Sequence, residues 1–216
     1  MAGRLIVVSN RIPEGPNPAG GLVVALKDAI TEKNGTWIGA YGEPGEATDS
    51  FDELEGTPYR RLAFRLTAEE HSNYYLGFAN SVLWPLCHRR VDLVELQPEY
   101  ERDYLSVNRR LAAMILRILK PDDMLWIHDY HFLPLAQELR RLGVSNRIGF
   151  FLHIPFPSHA DLSVLPQPET FAGWLADYNL VGLQTGADVA RGLEMYRADP
   201  RAEFLPDGSV KFGMNI

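Results

Sequence analysis

The side chains most able to do chemistry fall at the ends of two apolar runs. Asp123-Met-Leu-Trp-Ile-His128-Asp129-Tyr130-His131 is one, and Arg147-Ile-Gly-Phe-Phe-Leu-His153-Ile-Pro155-Phe-Pro157-Ser158 is the other. A carboxylate flanked by imidazoles suits an acid–base pair, a metal site, or a clamp that accepts hydrogen bonds from ligand hydroxyls. Consecutive residues at a strand end diverge in direction and no further carboxylate cluster accompanies them, so the metal reading is the weakest. The bland alternative is a buried Asp129 that satisfies backbone amides. His153 precedes Ile-Pro-Phe-Pro, a rigid turn that would fix its position, although a lone histidine is more often structural. Near the N-terminus, Arg11 and Gly20-Gly21 could form an anion site from a guanidinium and helix N-terminal amides; the competing reading is a solvated loop. Tyr74-Tyr75-Leu-Gly-Phe78 and Val82-Leu-Trp84-Pro85 make an aromatic patch able to stack on sugar rings, but on pattern alone core packing explains it better.

These residues need a frame. Arg4–Ser9 is a β-branched apolar run, read as a central parallel strand. Asn10–Ala19, with three prolines, is loop. A helix over Leu22–Lys33 stops at Asn34-Gly35, and Thr36–Gly39 is the next strand. Residues 41–58 read as loop, and Tyr59–Leu66 as strand. Thr67-Ala-Glu-Glu70 is a capping box that starts a helix toward Asn80. A long helix covers Pro98–Leu119. The two signature runs are strands separated by a helix over Leu133–Leu142. Helix over Pro168–Ala176, strand over Tyr178–Leu183 and helix over Asp188–Tyr196 follow, and Asp207-Gly208 turns a hairpin between Glu203–Leu205 and Val210–Phe212. Strands alternating with helices give an α/β fold, a doubly wound, mostly parallel sheet in which strand carboxyl ends line the ligand crevice.

The chain has 216 residues, 46% of them hydrophobic, and a formal charge of −7. With no basic block against that acidic background, nucleic acid and membrane surfaces are excluded as partners. One cysteine, Cys87, precludes an internal disulfide and fits a reducing compartment, so a cytoplasmic location is expected. The glycine fingerprints of dinucleotide-binding and P-loop proteins are missing, as is the Gly-x-Ser-x-Gly elbow of serine hydrolases.

Taken together, Val8-Ser-Asn-Arg11, Ala19-Gly-Gly-Leu22, Tyr75, Asn80-x-x-Leu-Trp84-Pro85, Tyr104-x-x-Val-Asn108, Trp126–His131, Gly149–Pro157 and Asp177–Thr185 resemble the trehalose-6-phosphate synthases. These are retaining glycosyltransferases of the two-domain GT-B fold. The resemblance implies transfer of glucose from UDP-glucose to glucose 6-phosphate, with no cofactor and no catalytic metal. It implies that Arg11 binds the acceptor phosphate and that Tyr75, Trp84 and Asp129 line the acceptor sugar. Gly20 and Gly21 would approach the donor diphosphate, and His153, with Asp129, would act at the reaction centre. Residues 1–216 would then be a single Rossmann-like acceptor-side domain, lacking the C-terminal donor-binding domain and inactive alone. A second copy of the chain or a full-length synthase is the expected protein partner. A non-catalytic sugar-phosphate-binding module, a related enzyme with another acceptor, and an assembly subunit are the alternatives. This chain departs from the family pattern at Ser158-His-Ala-Asp-Leu162, where Ser-x-Glu-Ile is usual, and also at Ile38–Tyr41 and His88-Arg89-Arg90.

Overall fold

The computed structural model describes residues 3–13 and 21–213, without the side chains of Leu22 and Ala25. The chain runs β1 (Leu5–Arg11), α1 (Gly21–Glu32), β2 (Thr36–Ala40), β3 (Asp52–Leu54), β4 (Arg60–Phe64), α2 (Ala68–Glu70), a π-helical stretch (His71–Leu83) and α3 (Trp84–Cys87). It continues through α4 (Pro98–Leu116), β5 (Met124–His128), α5 (Leu135–Arg141), β6 (Arg147–Phe151), α6 (His159–Leu162), α7 (Glu169–Ala176), β7 (Leu180–Gly182), α8 (Gly186–Arg197), β8 (Ala202–Phe204) and β9 (Val210–Phe212). Seven strands make one sheet in the order β3-β4-β2-β1-β5-β6-β7, parallel throughout except for β3. The last two strands form the separate antiparallel hairpin that Asp207-Gly208 announced.

Side-chain alternation sorts the core into two layers. Ile6, Val8, Ile38, Leu125, Ile127, Ile148 and Phe150 enter the larger layer, beneath the π-helical stretch, α4, α5 and α7. Leu5, Val7, Trp37 and Ala63 enter the smaller layer with Leu26 and Ile30 of α1. Strands buried on both faces must be apolar throughout, and β1 is buried from Leu5 to Ser9.

Three expectations are corrected. The stretch 41–58 contains β3, whose sequence Asp-Glu-Leu carries no strand pattern; it is a short edge strand pinned by the Arg60–Glu53 ion pair at 2.7 Å. The helix begun by the Thr67/Glu70 capping box does not stop near Asn80 but continues as a π-helix and then α3 to Cys87. The Ser81 hydroxyl donates to the Leu76 carbonyl five residues back, at 2.8 Å, in keeping with the wider winding. The long fourth helix ends at Leu116, short of Leu119.

From β1 the chain builds outward first through β2 and β4, then on the other side through β5, β6 and β7. This reversal of winding opens a crevice between the carboxyl ends of β1 and β5, the ligand position of open α/β sheets.

Candidate functional site

Arg11 is the last residue of β1, just past an irregularity in its register with β2. The strand end is braced from behind: the Trp37 indole donates to the Ser9 hydroxyl at 2.8 Å, and that hydroxyl donates to the Arg11 carbonyl at 2.9 Å. The Arg11 side chain is exposed, with its guanidinium 5.8 Å from the centre of the Tyr75 ring. Asn10, Tyr41 and His71 line the same shallow pocket.

The π-helical stretch divides the aromatic patch by exposure. Tyr74 and Phe78 are core, as pattern alone suggested, but Tyr75 is half-buried and Trp84 is 41% exposed. The ring of His131 stacks on Tyr75 at 5.7 Å, and the Tyr130 ring stacks on His131 at 4.1 Å. The Tyr130 hydroxyl donates to the Asn80 side chain at 2.9 Å, which ties the turn after β5 to the π-helix. Burial, with Arg11 close by, drives the His131 pKa down to about 3, so this ring is a neutral aromatic plate. Trp84 stacks on His88 at 3.9 Å at the far end of the helical body.

Asp129 follows β5 with φ 75° and ψ 165°, a conformation that costs about 1–3 kcal/mol in any residue but glycine. Its amide donates to the Phe151 carbonyl at 2.9 Å. One carboxylate oxygen accepts from the amides of Tyr130 at 3.2 Å and His153 at 3.3 Å. The bland reading of this residue, amide satisfaction, is therefore fulfilled by Oδ1; Oδ2 has no hydrogen bond among the described residues. Burial raises the Asp129 pKa, against the pull of His153. His153 is held at three points: its amide on Asp129, its carbonyl on the Gln184 side-chain amide at 2.5 Å, and its Nε2 against Nδ1 of His128 at 3.0 Å. His128 is buried, and desolvation with His153 beside it lowers its pKa to about 3.

Asp161, the carboxylate nearest the place where the family usually has one after Pro157, is spent structurally. It closes a capping box with Ser158 and lies 3.6 Å from Arg89, while Ala160 is exposed. Burial, with Asp129, Asp161 and Asp188 nearby, pushes the Cys87 thiol far up, so this cysteine is unreactive.

Of the residues read from the sequence, Arg11 approaches Tyr75 and Asp129 is bonded to His153, and the rings of His131 and Tyr130 link the two pairs. Trp84 is the first residue of α3, with its ring stacked on His88. Gly21 starts α1, where an added Cβ would meet nothing within 4 Å; Gly20 lies outside the described residues. Among the described residues no group of three or more His, Cys, Asp or Glu is placed to hold a metal ion. Sequence reasoning weighed His128 and His131 only as imidazoles flanking Asp129, and assigned no individual role to Asn80 or Gln184. The pairing of His128 with His153 follows once β5 and β6 are known to be parallel neighbours in the register His128–Phe151, since His153 lies two residues further on.

A family model for glycosyltransferase family 20 matches residues 8–201. The trehalose-6-phosphate synthase of Klebsiella pneumoniae is 43% identical over 207 residues, which cover 94% of this chain and 44% of that protein. A crystal structure of the synthase from Burkholderia xenovorans in complex with glucose-6-phosphate superimposes with TM-score 0.89 at 36% identity, over 99% of this chain and 48% of the other. The Escherichia coli protein bound with UDP-2-fluoro glucose gives TM-score 0.91 at 40% identity, over 99% and 47%. The chain thus spans about half the length of the relatives it matches.

Proposed function

This chain belongs to glycosyltransferase family 20, and we propose that it forms the acceptor-side wall of a retaining glycosyltransferase that makes trehalose 6-phosphate. Glucose from UDP-glucose is joined to glucose 6-phosphate, and the reaction closes in a cleft whose other wall lies in the half of the relatives' length that this chain does not span. One observation carries the reading: a cationic side chain and a polar clamp flank one crevice at the winding reversal, Arg11 with Tyr75 at the end of β1 and Asp129 with His153 beyond β5 and β6.

The chemistry follows from these groups. Arg11 takes the acceptor phosphate through charge-assisted hydrogen bonds, with Tyr75 held flat beneath it by the His131 plate. Asp129 receives sugar hydroxyls on Oδ2, because Oδ1 is already engaged by two amides. Trp84 offers an exposed ring face to the sugar at the rim. His153 meets the donor sugar, and Gly21 at the N-terminus of α1 admits the donor diphosphate against backbone amides; Gly20 is assigned with it by resemblance alone. A single wall neither excludes water nor neutralises departing UDP, so turnover requires both halves. No helix among the described residues is long and apolar enough to cross a membrane, and with the lone buried Cys87 this supports a reducing, cytoplasmic setting. A further copy of the chain or the remainder of a synthase is the protein partner.

The test is an NMR titration of the chain with glucose 6-phosphate, glucose as control, and the Arg11→Ala variant. Saturable shifts at Tyr75 and Asp129 should need the phosphate, and Arg11→Ala should weaken them by about 10–100-fold, the worth of a charge-assisted hydrogen bond. Equal binding of glucose and glucose 6-phosphate would overturn the assignment of Arg11.

A further inference from the structure

His128 has no place in the reading above, yet it is the group against which His153 is set. Its ring is 1% exposed, its Nδ1 lies 3.0 Å from His153 Nε2, and its own Nε2 is buried with no hydrogen-bond partner among the described residues. Two neutral imidazoles at that distance share one proton, and the question is which ring owns it.

If His153 donated from Nε2, His128 would accept at Nδ1 and carry its proton on Nε2. That would add a second buried N–H without an acceptor to the one that neutral His131 already carries, a defect rare in folded proteins. If His128 donates from Nδ1, its Nε2 is a bare lone pair, and an unused acceptor in an apolar setting is the lesser fault. A doubly protonated His128 would again strand the Nε2 proton, and burial opposes its charge. The arrangement left is His128 Nδ1–H donating to His153 Nε2. His153 must then carry its own proton on Nδ1.

We propose that His128 is a positioning residue that fixes His153 as the Nδ1–H tautomer, so that His153 meets its ligand as a hydrogen-bond donor and not as a base. Nε2 is occupied by His128, and Nδ1 is the ring nitrogen with no hydrogen bond among the described residues. The backbone supports the same fixity, because the amide and carbonyl of His153 are both held by side chains, Asp129 and Gln184. A hydrogen-bond donor held in place can stabilise charge developing on an oxygen, which a base could not do. The assignment of that oxygen to a donor sugar rests on the proposed function; the tautomer does not.

The test reads the ring nitrogens directly, by long-range proton–nitrogen NMR of the 15N-histidine-labelled chain at neutral pH. The expected pattern is a protonated Nδ1 and a bare Nε2 on His153, with Nδ1 of His128 protonated. In His128→Phe the fixing donor is gone and His153 should become a mixture of tautomers. In His128→Asp the partner can only accept, so His153 should exchange its two nitrogen signals and become the Nε2–H form. A wild-type His153 protonated at Nε2 would overturn the proposal, as would a folded His128→Asp that keeps the Nδ1–H form. Should neither variant fold, the wild-type spectrum alone decides. A failed glucose 6-phosphate titration would strike the proposed function and leave the tautomer untouched.

Discussion

The two ends of the sheet treat their polar groups in opposite ways. At the amino ends of β1 and β5, Asp123 accepts from the Arg4 amide, Nε and Nη2 and from the Lys120 amide, and Arg4 also donates to the Ile118 carbonyl. Beside them the two N–H bonds of the Asn146 side-chain amide are shared among three carbonyls, those of Lys120, Pro121 and Asp123. Burial alone would raise the Asp123 carboxyl, but these donors hold it below its usual value. At the carboxyl ends of the same strands, both ring nitrogens of His131 and Nε2 of His128 are buried without partners among the described residues, as is the Tyr74 hydroxyl of the π-helical stretch above, and Asp129 is held in a strained backbone conformation. The first end is solved for stability. The second keeps unspent hydrogen-bonding capacity, the mark of a surface shaped for something other than itself.

The largest effect that could break this contrast lies at the satisfied end. Asp123→Ala strands Arg4 and two backbone amides, and should cost about 3 kcal/mol in urea unfolding at neutral pH. A loss below about 1 kcal/mol would show that this end is no more structural than the other.

A middle-sized effect is a pH dependence from the buried histidines. Unfolded, His128 and His131 bind protons near the ordinary pKa of about 6.5; folded, they do so only near 3. Between those values the unfolded chain holds more protons, so stability is full above about pH 6.5 and declines as the pH falls below it. Asp129, raised by burial, acts in the opposite sense and blunts the decline. His131→Phe, in a site where neither ring nitrogen has a partner among the described residues, should fold well and remove about 1 kcal/mol per pH unit from the slope, roughly between pH 6 and 5. Thermal unfolding across that range would check it, and an unchanged slope would mean that His131 is not buried neutral.

The smallest effect is the sharpest test. Asp129→Gly releases the backbone strain but deletes two long hydrogen bonds, at 3.2 and 3.3 Å. The two nearly cancel, so stability should move by less than about 1 kcal/mol while sugar-hydroxyl recognition is lost. Destabilisation as large as that of Asp123→Ala would put Asp129 among the structural carboxylates after all.

Much of this was legible in the residues. Apolar runs that stop at Arg11, at His128-Asp129 and at His153 gave both the parallel strands and the residues at their ends, because an abrupt change from buried to ionisable side chains is local information. The Thr67/Glu70 and Asp207-Gly208 signals were equally local. β3 was missed because its pairing with β4, and not its composition, makes it a strand. The π-helix was missed because apolar residues along His71–Leu83 fit an α-helix nearly as well. The aromatic patch was read as core because sequence cannot tell which ring of Tyr74-Tyr75 faces inward.

The sequence by itself determined the fold class, the family and which strand ends carry ionisable residues, since periodicity and motif are written in neighbouring residues. Only tertiary structure decided that His128 meets His153, that His131 is a neutral plate behind Tyr75, and that Asp161 lies against Arg89. Each of these depends on register between strands, on burial from solvent, or on the winding of a helix, and all three are set by contacts between residues far apart in the chain.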